Sequence, residues 1–534
     1  MGRRRQGRAA RGPVHLRKAR SPLAEEVARV GAGRFGILAV DSSKPRFAVL
    51  LSDFAGNVLM EMQVVENTAP ALAGLVERLK ALCQSHRLKD LVVGIERTGR
   101  YHVPIQQALR PLWRVEMVDP AAAQGLRQAA DPGNKTEGTD LPAITRAIQV
   151  GLGTREADLP PVWLDWRQVN RAREDDVRMR ATLRQRIQER IEALMPGFTR
   201  PFKDLWRAPI PLALAEHYGS AARLLEAGDE SLLAWLRTQG HRPCRQRVEQ
   251  VLGWARTASM PDPGADVRHA LLGRDLEHER FLGTEILRKE CDLAAHLVQT
   301  PVVLLLAMPG IHVVAGSGYG AELGPIEHYI NPHKITGRAG VYPSRYQSDE
   351  VDYPDGPLVG HRNARLRDAL MEVAYCLMTS NGYFQAWAEL RRKKGWPHKK
   401  ILVALANTFS RISYRVLAGR QAFDHPCARR RDTILAKLYD FAQTHHLTPE
   451  AARDLLLRAA AWLPVELRTE EAQALRRQLP RRPRRRRGSG PEHISTILPE
   501  VIEHLVSGIP LREERRQREN PGGFAGLLDR RSGR

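Results

Sequence analysis

Residues 34–150 switch repeatedly between strand-like and helix-like hydrophobic patterns, and that switching decides what the chain can fold into. "RFGILAVDSS" is a near-continuous apolar run that stops on Asp41, the pattern of a strand covered on both faces. "RFAVLLSD" and "VLMEMQVV" flank the turn residues "FAGN" and read as a hairpin. "APALAGLVERLKALCQSH" spaces Leu72, Leu75, Leu79 and Leu82 along one helical face. "DLVVGIERTG" is a second buried strand, ending on Glu96. "PIQQALRPL" then reads as a helix, "RVEMVDP" as a strand and "TDLPAITRAIQVGL" as a closing helix.

Three strands followed by alternating helices and strands predict an α/β domain of ribonuclease-H-like order over residues 34–155. Residues 165–300 are helical and highly charged. Leu183, Ile187, Ile191 and Leu194 form one apolar stripe, stopped by Pro196 and Gly197. A second long helix fits "DVRHALLGRDLEHERFLGTEILRKECDLAAHL", so the two helices predict an antiparallel coiled-coil arm, serving as a spacer or a subunit-pairing element. A helical insert around "SLLAWLRTQG" and "RVEQVLGWARTAS" lies between them. Residues 301–420 predict a second, mainly helical domain, and residues 421–475 a helical extension. Residues 488–534 hold one helix-like stretch, "ISTILPEVIEHLVSGI".

The formal charge is +23 and the isoelectric point about 10.3, which points to a polyanionic partner. Residues 1–20 and 476–487 carry eight basic residues each and no acid, so segments 1–33 and 476–534 are expected to be basic and largely disordered. Solvated tails and contacts to nucleic-acid phosphates both account for them. Cys83, Cys244, Cys291, Cys376 and Cys427 are scattered and never in a CxxC pair, which argues against a disulfide framework or a zinc site and fits a reducing cytoplasm. No apolar run is long enough to span a membrane, and the basic N-terminus lacks the apolar core of a secretory signal.

Asp41 and Glu96 close two strands that would lie side by side at the carboxyl edge of a parallel pair. Glu137 and Asp140 stand three apart in "NKTEGTDL", on one face of a helix start. Four such carboxylates could hold two Mg²⁺ ions about 4 Å apart, able to clamp the attacking and leaving oxygens of a phosphodiester. Each acid also has an ordinary explanation. Asp41 could be a turn residue, Glu96 could pair with Arg97, and Asp140 could cap its helix.

"GILAVDSSK", "VGIERTGRY" and "NKTEGTD" resemble the three signature blocks of DEDD-type insertion-sequence transposases, the bridge-RNA-guided recombinases whose first domain is RuvC-like. The resemblance places Asp41, Glu96, Glu137 and Asp140 on catalytic, metal-binding carboxylates, with Glu137 where the family usually has Asp. "MPGIHVVAG" resembles the family's helix-hairpin-helix-like segment, whose Gly310 would offer backbone N–H groups to phosphates; His312 stands where Gly is usual. "RAGVYPSRYQSDE" resembles the block bearing a serine nucleophile, which falls on Ser348, with Asp349 where Gly is usual and Arg345 close by. "GHRNARLRDALMEVAYCL" resembles a basic Asn-x-x-Leu-Arg helix carrying Asn363 and Arg367, with Arg362 where Gly is usual; Asn363, Arg367, Arg345 and Lys135 are candidate nucleic-acid contacts, with Gly310. The resemblance spans about residues 35–420.

It implies a Mg²⁺-dependent DNA transposase or recombinase acting in the cytoplasm on the nucleoid. A structured noncoding RNA would guide it to donor and target DNA, and it would assemble as a homo-oligomer, dimer or tetramer. Two other readings stay open: a metal-only RuvC-like nuclease of branched DNA, and a nucleic-acid-binding protein that has lost catalysis.

Overall fold

The computed structural model describes residues 23–507, except for positions 98, 156–158, 201, 203, 204, 208, 243, 244, 261–263, 345, 349, 350, 354, 355, 361, 425–430 and 479–495. The most basic stretches of both expected tails, together with Arg345, Asp349 and Glu350, therefore lie outside the described residues. The chain divides into two compact units between residues 158 and 159.

The first unit opens with helix α1 (Ala24–Val30). This corrects the expectation of a structureless segment up to residue 33, because Leu23 is buried in the core beneath the sheet. Strands β1 (Phe35–Ser42), β2 (Arg46–Asp53) and β3 (Val58–Glu66) follow, then α2 (Ala69–Ser85), β4 (Asp90–Glu96), α3 (Val103–Leu109), β5 (Arg114–Val118), α4 (Pro120–Ala130), α5 (Glu137–Gln149) and β6 (Gly153–Thr154). They build a six-stranded sheet of order β3-β2-β1-β4-β5-β6. β1 is antiparallel to β2 but parallel to β4, and β5 continues the parallel run. This mixed sheet is consistent with a RuvC-like fold.

Alternation along the central strands sends side chains to two covered faces. Leu38, Val40, Val93 and Ile95 pack with Leu72, Leu75 and Leu79 of α2 and with Ile105 and Leu109 of α3. Ile37, Ala39 and Val92 face the other way and pack with Leu141, Ile144 and Ile148 of α5. Gly94 permits that approach, since a Cβ there would sit 2.6 Å from Ile148. A bare patch in β4 thus seats α5 against the strands that carry Asp41 and Glu96 near their carboxyl ends.

The second unit begins with α6 (Pro161–Leu194). An insert of three helices follows: α7 (Pro209–Tyr218), α8 (Ala221–Thr238) and α9 (Arg245–Thr257). The chain returns along α10 (Ala265–Leu297). Ion pairs join Arg173 to Glu290, Arg180 to Glu279 and Arg186 to Asp275, so positions rise on α6 as they fall on α10 and the helices run antiparallel. The stripe of Leu183, Ile187, Ile191 and Leu194 is buried, not only against α10 but in a core of its own with Leu214, Leu232, Val251 and Leu272 from the insert and α10.

Beyond a 3₁₀ segment at Pro301–Ala307 lie α11 (Val313–Leu323), α12 (Pro332–Ala339), the hairpin β7 (Tyr346–Ser348) and β8 (Val351–Tyr353), α13 (Ala364–Ser380), α14 (Gly382–Lys393) and α15 (His398–Gly419). Four more helices follow, α16 (Ile434–Thr444), α17 (Pro449–Ala460), α18 (Val465–Gln478) and α19 (Leu498–Ser507). One continuous core runs from Trp166 through Leu370 and Phe409 to Leu456 and Ile502. The extension after residue 420 therefore shares its interior with residues 301–420 rather than standing apart. Among the described residues no single helix is long and apolar enough to cross a membrane.

Candidate active site

Asp41 and Glu96 reach the same edge of the sheet for a geometric reason. Val40 and Ile95 are neighbours in the parallel β1–β4 ladder, so the next residues, Asp41 and Glu96, lie abreast where the ladder ends. Both follow the alternation of Ile37, Ala39 and Val92, which places them on the face covered by α5.

The start of α5 brings the other two acids. Thr136 is its N-cap residue and Thr139 completes the cap, its hydroxyl accepting from the Thr136 N–H at 3.0 Å. Two threonines thus satisfy the helix end, and neither Glu137 nor Asp140 is consumed in capping. Asp140 is buried and forms an ion pair with Arg127 of α4. Glu137 is partly exposed and stands 4.0 Å from Arg46 of β2.

The electrostatics tie these residues together. Burial pushes the Asp41 carboxyl above its ordinary range, and the negative charges of Asp140 and Glu137 push it further. Glu96 is likewise raised, first by burial and then by Asp41 and Asp140. Lys135 opposes both shifts, so its ammonium belongs to the same surroundings. Arg127 helps to hold Glu96 ionised. Arg127 was not foreseen from the sequence. It lies thirteen positions before Asp140, on a helix of mostly small residues of which only Ala123 is buried.

The donor set suits a hard divalent cation. The side chains are carboxylates, they occupy one edge, and they crowd negative charge that a cation would relieve. They are not already drawn into a coordination shell. Among the described residues no three His, Cys, Asp or Glu side chains are grouped so as to hold a metal ion. The Asp140 carboxylate is instead held by the Arg127 guanidinium.

The remaining expected residues lie in the second unit. Ser348 closes β7 and pairs with Val351 across the hairpin. Gly310 has φ +93 and is buried, and a Cβ there would meet the Cys376 carbonyl oxygen at 3.1 Å, so close packing on α13 explains this glycine. The carbonyls around that turn are already taken. Lys437 donates to Leu306, Met308 and Ile311 at 2.8, 3.1 and 2.7 Å, and Asn381 donates to Pro309 at 2.9 Å. His312 has extended backbone (φ −93) that needs no glycine. Asn363 caps α13, accepting from the Leu366 N–H at 3.1 Å. Arg367 donates to the carbonyls of Ala339, at 3.0 Å, and Val359. Asn363 and Arg367 thus fix the segment that carries the hairpin.

The two parts of the chain match two transposase family models in order. The DEDD-type transposase model of IS110 elements matches residues 38–196. The model described as "Transposase IS116/IS110/IS902 family" matches residues 302–389. The chain is also similar to the "Insertion element IS116 uncharacterized 44.8 kDa protein" of Streptomyces clavuligerus, at 22% identity over 394 residues, covering 72% of this chain and 95% of that protein. With the mixed sheet and its acidic edge ahead of a helical second unit, these matches support an insertion-sequence transposase similar to those of the IS110 family.

Proposed function

We propose that this transposase cuts and rejoins DNA with a carboxylate site formed by Asp41, Glu96, Glu137 and Asp140 and with Ser348 as nucleophile. The observation that carries this reading is the shared edge. Asp41 and Glu96 lie abreast at the ends of parallel strands, and each feels the charge of Asp140. Bound Mg²⁺ would draw negative charge off the scissile phosphate. The acids would hold that cation, Lys135 would steer the DNA backbone, and Arg127 would fix Asp140. In the strand-transfer step Ser348 Oγ bonds to phosphorus as a DNA P–O bond breaks. The serine proton is given up, and the departing DNA oxygen takes one. The phosphoserine link keeps the phosphate activated for rejoining.

By the family resemblance, a structured noncoding RNA supplies sequence specificity and the chain assembles as a homo-oligomer. Ser348→Ala is expected to abolish strand exchange and the covalent protein–DNA adduct while RNA binding persists. Asp41→Ala is expected to lower Mg²⁺-dependent cleavage by at least about 100-fold. Adduct-free cleavage that survives Ser348→Ala but not Asp41→Ala would instead identify a metal-only nuclease. The Arg127–Asp140 pair is the observation that favours a non-catalytic binding protein. Absence of cleavage together with no calorimetric Mg²⁺ binding would establish that reading.

A further inference from the structure

The turn between α14 and α15 is a cationic surface that the acidic edge and the serine hairpin leave unused. Residues 391–400, "RRKKGWPHKK", hold six Lys or Arg residues, one His and no acid. The chain reverses there at Gly395, with φ +77. Arg392, Lys393, Lys394, His398, Lys399 and Lys400 are all exposed. Glu389 pairs with Arg392 at 3.3 Å; among the described residues Lys393, Lys394 and Lys399 have no carboxylate partner.

A run of charge is most often a solvated face. Two features separate this one from that account. First, α15 starts on His398, Lys399 and Lys400, with no acid in its first turn and no side-chain cap. A helix N-terminus carries partial positive charge and is ordinarily furnished with acids, so three basic residues there concentrate repulsion that an anion would relieve. Second, the cations are organised on aromatic rings. The Arg391 guanidinium lies 4.4 Å from the Trp387 ring centre and 6.0 Å from that of Trp396, and Lys400 Nζ lies 5.3 Å from Trp396. Cation–π contacts hold these heads before any ligand arrives, which lowers the entropy lost on binding. Because the rings lie against cations and are not presented bare, the surface suits phosphates rather than stacked bases.

We propose that the α14–α15 turn grips the phosphate backbone of duplex DNA without regard to sequence. This rests on similarity to a DNA-transposing family and not on Ser348 or the acidic edge. The test uses the full chain and a random-sequence DNA duplex of about 30 base pairs, titrated over a range of salt. The triple variant Lys393→Gln, Lys394→Gln, Lys399→Gln is expected to bind at least about tenfold more weakly at low salt. Its salt dependence should flatten by roughly 0.9 per lost phosphate contact, up to about 2.7. Trp387→Leu keeps every charge and is expected to weaken binding with the slope unchanged. The titration is run without divalent cations and reads binding alone, with no cleavage or adduct in the readout, which separates this surface from the catalytic reading. Wild-type affinity and slope in a triple variant with wild-type melting temperature would overturn the proposal. So would a loss confined to a structured RNA with duplex DNA binding intact, because the surface would then serve RNA.

Discussion

The buried acids between α6 and α10 and the acids at the sheet edge share a chemistry but not a setting. Between the helices each carboxylate is answered. Asp275 takes Arg186 at 2.8 Å and Arg190 at 2.7 Å, Glu279 takes Arg180 at 2.8 Å and Arg184 at 2.7 Å, and Glu290 takes Arg173 at 2.7 Å and His445 at 2.9 Å. At the sheet edge Asp41 and Glu96 are half-buried beside other acids, and Asp140 holds the guanidinium of Arg127. Matched acids fix two helices in register. Crowded acids are kept together by strands and a helix start, against their own repulsion, and so have something to gain from a cation. What a carboxylate does in this protein is read from its partners rather than from its residue type.

Breaking a matched pair should have the largest effect on the fold. Glu279→Leu leaves Arg180 and Arg184 without their shared partner between two helices. Removing one side of a buried pair costs about 3 kcal/mol or more. Both arginines are about one-third exposed, which brings the expectation to roughly 2 kcal/mol. Urea denaturation measures it. A loss under about 0.5 kcal/mol would mean that the arginines turn into solvent at no cost, and the contrast between the two regions would fail.

The crowded acids should behave in the opposite way. Asp41→Asn removes a charge that burial and two neighbours disfavour. Without divalent cations it is expected to raise the melting temperature, by on the order of 1–3 °C, and to lack the upward shift that added Mg²⁺ is expected to produce in the wild type. The pH dependence follows from the direction of the shifts. Asp41 and Glu96 are raised in the folded state, so the fold binds their protons more readily than the unfolded chain does. Their ionisation therefore costs stability as pH rises from the unfolded carboxylate range through the folded values, and acidification below them removes that cost. The stability gap between Asp41→Asn and the wild type should narrow on acidification. A gap that stays constant from neutral pH to about pH 4 would show that charge at Asp41 is not the cause.

This contrast was half legible in the sequence. The strands carrying Asp41 and Glu96 could be read because β1 and β4 are unbroken apolar runs, and their pairing followed from the order of elements. The long helices could be read because Leu183, Ile187, Ile191 and Leu194 keep one helical face. The partners could not. Arg127 sits on α4, where nothing in the sequence ties it to an acid thirteen positions on, and the Arg180–Glu279 pairing spans ninety-nine positions. The insert was visible as helices, but its own core was not, since apolar residues do not name what they pack against. The turn at 391–400 is plain as a run of charge, whereas its ordering by Trp387 and Trp396 needs three dimensions.

The smallest expected effect belongs to the residue that departs from the family's usual aspartate. Glu137 is the first helical residue of α5, partly exposed, and its contact to Arg46 is a long one at 4.0 Å. An aspartate there keeps the negative charge at the helix N-terminus, so the fold should not notice the change. It shortens the reach by roughly 1.5 Å, which loosens the contact to Arg46 and draws the carboxylate back toward its own backbone. If Glu137 works through its charge at the edge, as its effect on Asp41 indicates, Glu137→Asp should keep Mg²⁺-dependent cleavage within about threefold of wild type or raise it. That is well short of the roughly 10- to 100-fold lost when a group supporting a metal site is removed. A complete loss, with Glu137→Gln no worse, would mean that the edge is built around the longer side chain and that reach rather than charge is what position 137 supplies.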